Sequence, residues 1–200
     1  AVFGLGLLAG YAVWERFSSH PMTPPWLLGN RPFVVLNVAT LLVYTGLAVM
    51  FFLLSFDLID RRHLTPTGAG LVFLPFTLGV GLLSQPLGAL ADRIGVRSML
   101  SVGPLGAALA FMLLALGKDA SLLLGVLLPV TLLGISFAVL VTPLTTSVLA
   151  SVTNSEEGLA SGVNNAVSRI AQLAGIAFAA GLASFAAGYI ASLIVAAVLA

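Results

Sequence analysis

Residues 33 to 56, FVVLNVATLLVYTGLAVMFFLLSF, contain no charged side chain. A hydrocarbon core of about 30 Å is crossed by roughly 20 helical residues rising 1.5 Å each, so this run alone dictates a membrane-spanning helix. Similar runs recur along nearly the whole chain. Hydrophobic residues make up 60% of it and charged residues only 8%, against roughly a quarter charged in soluble domains. The mean hydropathy is +1.14. The chain therefore reads as an all-α polytopic membrane protein whose first partner is the lipid bilayer. Its net charge of +1 gives no reason to expect nucleic acid or an acidic soluble partner. Having no cysteine, it forms no disulfide, thiol nucleophile or thiolate metal site.

Polar and proline-rich stretches divide the apolar runs. The opening AVFGLGLLAGYAVWERF has no basic leader and reads as the end of a membrane helix already under way, over 1–14. SSHPMTPPWLLGNRP carries four prolines and reads as a loop, placed with Glu15 and Arg16 over 15–32. Helices are then expected at about 33–56, 68–91, 98–117, 122–150 and 159–185, with an incomplete one at 187–200. The polar stretches DLIDRRHLTPTG, GALADRIGVR, KDAS and SVTNSEEG mark their ends, and the division near 186–189 has no charged residue to mark it. Counting basic residues in alternate loops places Arg16, Arg31, Arg93, Arg97 and Arg169 on one side and Arg61, Arg62 and Lys118 on the other. Five against three puts the GALADRIGVR loop and 15–32 in the cytoplasm.

GALADRIGVR, residues 88–97, sets three charges beside two apolar helices. Gly88 permits close helix approach and Gly95 a positive φ in a short return turn. Asp92 can pair with Arg93 or Arg97, or accept from the next helix N-terminus, so the loop reads as a charged latch. The blander reading is an ordinary short cytoplasmic turn. From Gly88 to Leu100 the pattern G-x-L-A-D-R-x-G-x-R-x-x-L closely resembles the signature loop of the major facilitator superfamily, found between the second and third helices of each six-helix half. NRPFVVLNVATLLVY, GLVFLPFTLGVGLLSQPLGAL and GLASGVNNAVSRIAQLAG follow in the order of that superfamily's fourteen-helix drug:proton antiporter branch. The sequence departs from the pattern at Val96, where a basic residue is usual, and at Asp57, where Gln is frequent.

The resemblance implies the six-helix C-terminal half of that fold, built from two three-helix repeats, with the end of one preceding helix and with the N-terminal half of the polypeptide absent. It implies a multi-pass protein of the bacterial inner (plasma) membrane that moves an amphipathic small molecule outward, with protons as coupling ion and no cofactor. Asp92 would then hold a latch biasing the inward and outward states rather than touch substrate.

Substrate in such transporters binds near the midplane, along interrupted helices carrying a few polar groups. Ser161, Asn165, Arg169 and Gln172 recur at helical spacing and form one polar stripe. Arg169 would sit roughly 16 Å along a helix starting near Gly158; it either snorkels or gates at the cytoplasmic face, or lines the cavity. Asn37, Thr40, Tyr44 and Thr45 share a face, as interhelical ties or as ligands. Gln85, Thr142, Thr145 and Thr146 are weaker candidates, since hydroxyls beside Pro143 can bond their own backbone. The expected cavity or gate set is Asn37, Tyr44, Gln85, Asn165, Arg169 and Gln172, and the latch loop Gly88, Asp92, Arg93, Gly95 and Arg97.

No carboxylate falls inside an apolar run, so a proton relay is expected in the absent half. Asp57 comes nearest and reads as a solvated helix end paired with Arg61. His20 and His63 fall on opposite sides, and no HExxH or GxSxG spacing occurs, so neither catalysis nor a metal site is expected. A transporter of another solute class (metabolite, sugar or siderophore, inward or outward), a channel and a structural membrane subunit are the alternatives.

Overall fold

The computed structural model describes residues 25–183, with the backbone alone at Pro25, Asp92, Leu182 and Ala183, and positions 6, 10, 13–15, 17 and 18 before them. The helix expected over 1–14 is described only at those points, and the segment expected over 187–200 lies outside the described residues. Among the described residues there is no strand.

The chain enters through a short helix, α1 (Pro25–Gly29), where a loop was expected. Proline is tolerated there because the first turn of a helix has no use for its N–H. The first long helix, α2 (Arg31–Phe56), starts at Asn30, whose side chain accepts from Phe33 N at 3.2 Å. The same side chain donates from Nδ2 to Ser151 O at 2.7 Å, joining two helix ends far apart in sequence.

Beyond Phe56 the chain does not leave its helix but widens for one turn over Asp57–Arg61, with Arg62 N donating to Asp57 O. Thr65 then caps α3 (Pro66–Val72) by accepting from Gly68 N. The expected helix over 68–91 is broken at Phe73 into α3 and α4 (Leu74–Ile94). Pro75 supplies no N–H for the carbonyl four residues back, and its ring crowds that carbonyl. Gly95, at φ +94°, is the one-residue return between α4 and α5 (Val96–Leu116). That φ favours a residue without Cβ. A second widened turn, Leu123–Leu127, leads into α6 (Leu128–Ala150), and a single tight turn, Asn154–Glu156, into α7 (Glu157–Ala183). Glu156 locks that turn by accepting from Thr153 N and Thr153 Oγ1.

Sequence neighbours are not the main packing partners. α4 and α5 both lie along α6, and α2 lies along α7. The core between them is apolar, with Met50, Leu54, Phe111, Leu114, Leu133 and Phe137 almost wholly enclosed. The outside is apolar too. Val102, Leu105, Leu109, Met112 and Leu116 form an exposed stripe on α5 at spacings of three and four. A helix greasy on both faces suits lipid and not water. Four described helical segments are long and apolar enough to cross a membrane: Arg31–Arg61, Pro66–Ala91, Val96–Leu116 and Leu123–Ala150.

Candidate functional site

The seam between α2 and α7 carries the polar chemistry of the bundle. Asn164 Nδ2 donates to Asn37 Oδ1 at 3.1 Å and to Thr40 Oγ1 at 2.9 Å. Asn37 Nδ2 in turn donates to Phe33 O and the Thr40 hydroxyl to Leu36 O, so the buried amide and hydroxyl are both partnered. Two turns further along, the Thr45 hydroxyl donates to Ala171 O at 3.3 Å. Here the backbones nearly touch: a Cβ on Gly175 would lie 2.7 Å from Thr45 O.

Beside that contact the seam opens into a cavity of about 350 Å³. Tyr44, Leu47, Ala48, Phe51 and Phe52 line it from α2, and Gln172 and Ile176 from α7. Its wall is backed by rings. Tyr44 meets Phe137 edge-on at 6.4 Å, Phe137 meets Phe76 at 5.6 Å, and Phe76 meets Phe51 at 5.1 Å. Edge-to-face contacts of this kind add roughly 0.5–1.5 kcal/mol each beyond area burial, so α2, α4 and α6 hold the wall in one shape. Chemically the cavity offers flat apolar surface, one phenol and one carboxamide.

The α7 stripe divides around it. Gln172 lines the cavity, whereas Ser161, Asn165 and Arg169 are exposed toward the helix start. Arg169 makes no ion pair with a described residue. Tyr44 is the one member of the α2 candidates on the cavity wall; Asn37 lies in the polar knot, and Gln85 is exposed on α4, away from the lining. Asn164 escaped sequence reasoning because its neighbour Asn165 fits the polar stripe. The usable signal was the small-residue face: Ala160, Ala171, Gly175 and Ala179 recur on the side of α7 that is buried, and Asn164 shares it.

In the 88–97 loop, a Cβ on Gly88 would come within 2.8 Å of the Thr142 methyl, next to the bond from the Thr142 hydroxyl to Ser84 O. Arg93 and Arg97 are exposed and make no ion pair with a described residue. The Asp92 side chain lies outside the described residues. Beside Pro143, Thr146 and Ser147 bond backbone carbonyls of their own helix.

At the opposite end, the solvated reading of Asp57 is wrong. Its side chain is 1% exposed and takes two cations, Arg61 Nη1 on Oδ1 at 2.7 Å and Arg62 Nε on Oδ2 at 3.1 Å. Five residues apart, Asp57 and Arg62 would point 140° from each other on a regular helix; the widened turn brings them together. Arg62 then donates to Lys118 O and Ala120 O, and Arg61 reaches Asp119, so α2 is clasped to the turn joining α5 and α6.

Comparison with known proteins places this arrangement in a family. The family model described as Major Facilitator Superfamily matches residues 36–200. The chain is similar to the lincomycin resistance protein of Streptomyces lincolnensis, at 34% identity over 84% of this chain and 35% of that protein. It is similar to the multidrug resistance protein Stp of Mycobacterium tuberculosis, at 31% over 82% and 31%. It also matches the cephamycin export protein CmcT of Amycolatopsis lactamdurans, at 30% over 86% and 36%. The chain spans about a third of the length of these curated relatives.

Proposed function

The chain belongs to the Major Facilitator Superfamily, and from that premise we propose that it is the C-terminal half of a proton-coupled exporter of amphipathic small molecules, of the fourteen-helix branch. The observation that carries this reading is the aromatic cavity at the α2–α7 seam. Ligand sites are concave, mostly apolar and sparingly polar, with volumes of about 300–1,000 Å³, and Tyr44, Phe51 and Gln172 supply that balance. Names of resistance and export among the relatives support outward transport.

Different residues take different parts. The aromatic wall binds, Arg169 stands where substrate passes between the cavity and the start of α7, and the 88–97 loop acts as the latch through Asp92. A contact made in only one conformation shifts the equilibrium by its differential energy, about 1–3 kcal/mol for a charge-assisted pair. Protons require a titrating group at depth. Asp57, a carboxylate buried at a span's end, is already held by two arginines, and the relay is assigned to the N-terminal half.

The test is accumulation of fluorescent aromatic dyes, cationic and anionic, in cells stripped of their own efflux pumps and expressing the full-length protein. Accumulation should fall, and a protonophore should restore it. An unchanged level at verified membrane expression would remove the export reading. In the same protein Asp92→Asn should slow turnover several-fold while leaving dye affinity within about twofold; loss of binding would contradict the latch.

A further inference from the structure

We propose that the widened turn at Asp57–Arg61 is a two-register switch coupled to the α2–α7 cavity: a ligand on the aromatic wall favours the clasped register, and the clasp in turn favours the ligand. This rests on the cavity being the substrate site, and it adds a conformational consequence of filling it.

The turn ties ion pairing to helical pitch. Arg62 N donates to Asp57 O, five residues back, at 3.0 Å. This wide pitch lets Asp57 take Arg61 at 2.7 Å and Arg62 at 3.1 Å together. On a regular pitch Asp57 would keep Arg61, four residues on, and lose Arg62. Single wide turns within α-helices are rare and gather at functional sites. Here the wide form is held from outside α2. Arg62 Nη2 donates to Lys118 O at 2.9 Å and Nη1 to Ala120 O at 3.0 Å. Those carbonyls belong to a closely packed turn, since a Cβ on Gly117 would lie 2.9 Å from Gly125 Cα. Releasing the clasp lets α2 regain its regular pitch, which carries the chain beyond Asp57 about 100° around the axis and about 1.5 Å along it.

Two neighbouring rings of the cavity bracket the segment that would move. Phe52 lines the cavity and meets Phe56, the residue before the wide turn, at 5.0 Å. Phe51 lines it too and meets Phe73, where α3 joins α4, at 4.9 Å. Between these contacts the chain is pinned at Leu58, which is fully buried and whose carbonyl accepts from Leu64 N at 3.0 Å. A change of register therefore passes along α3 to Phe73 and reshapes the wall that Phe51 shares with Phe73 and Phe76. The wall as it stands belongs to the clasped register. A ligand seated on it stabilises that register by its differential affinity, and the coupling is reciprocal. Arg62 acts at a distance, because it lies ten residues, or about 15 Å of helix rise, beyond Phe52.

The experiment uses the purified full-length protein with ethidium as probe. Ethidium should slow amide hydrogen exchange in peptides covering 57–65 and 117–125 together. Arg62→Gln should abolish that shared protection and weaken ethidium binding by about fivefold or more, as coupled sites require. Deletion of Ile59 is the opposite variant. It removes the extra residue of the wide turn, so that Arg62 follows Asp57 by four residues on a regular helix and the clasp persists with no second register. Ethidium should then bind at least as tightly as to the unmodified protein, while ethidium transport in proteoliposomes slows severalfold. Variants that merely loosened the fold would both weaken binding. Phe52→Ala reports on the cavity itself and should weaken ethidium binding. Suppose it does so. The cavity then stands and the coupling falls if ethidium leaves exchange at 57–65 and 117–125 unchanged, or if Arg62→Gln binds like the unmodified protein. The coupling falls likewise if the Ile59 deletion binds as poorly as Arg62→Gln or transports at the full rate. Should either turn variant fail to fold, exchange in the unmodified protein decides. If Phe52→Ala leaves binding unchanged, or if ethidium does not bind the unmodified protein, the cavity reading falls and takes this inference with it.

Discussion

Arg62→Ala is expected to destabilise the protein by about 3 kcal/mol, and Arg61→Ala by less than about 1 kcal/mol, although both arginines touch the same carboxylate. The asymmetry follows from burial. Asp57 is 1% exposed and Arg62 16%, whereas Arg61 is 49% exposed and its second partner, Asp119, 73%. Removing Arg62 strips a buried carboxylate of one of its two cations and frees the carbonyls of Lys118 and Ala120 as well. Removing Arg61 leaves Arg62 in place and lets water replace an outer pair. Thermal unfolding of the purified full-length protein gives the order directly. Equal losses, or a larger loss for Arg61→Ala, would mean that the clasp is not organised by burial.

Gly134→Val should lower stability by a similar amount, about 3 kcal/mol, for a reason with no charge in it. A Cβ at Gly134 would lie 2.7 Å from Phe76 Cα and 2.8 Å from Phe76 O, both backbone atoms that cannot rotate away. From the other helix, a Cβ on Gly79 would lie 3.0 Å from the Gly134 carbonyl carbon, so the two glycines define the closest approach of α4 and α6. Pushing these helices apart would also disturb the Phe76–Phe137 and Phe76–Phe51 contacts behind the cavity wall. Gly162→Ala is the matched comparison, because nothing lies within 4 Å of its added methyl; it should be neutral or stabilising by up to about 1 kcal/mol, as helix propensity requires. Similar midpoints for Gly134→Val and Gly162→Ala would show that α4 and α6 do not depend on this contact.

Part of the candidate site could be read from the chain and part could not. Gly95 and Gly88 were legible because each answers a local requirement, a positive φ in a one-residue return and a thin helix edge beside it. Tyr44 and Gln172 were legible as polar groups on otherwise apolar faces, but that periodicity cannot say which of a stripe's members meets a cavity. The structure turns Gln172 inward and leaves Ser161, Asn165 and Arg169 exposed. Asn164 was hidden because its role exists only with Asn37 and Thr40 opposite it, more than 120 residues earlier in the chain.

The sequence by itself determined the medium, the helical class and the family signature. Those depend on run length, on charge scarcity and on residues adjacent along the chain, and lipid leaves a long apolar run little choice but helix. Tertiary structure decided which helices pair and how Asp57 is buried. Each of these turns on atoms from distant segments or on a change of helical pitch. The widened turn at Asp57–Arg61 is the clearest case. It reorders which side chains share a face, so that an aspartate expected in water closes a clasp between α2 and the α5–α6 turn.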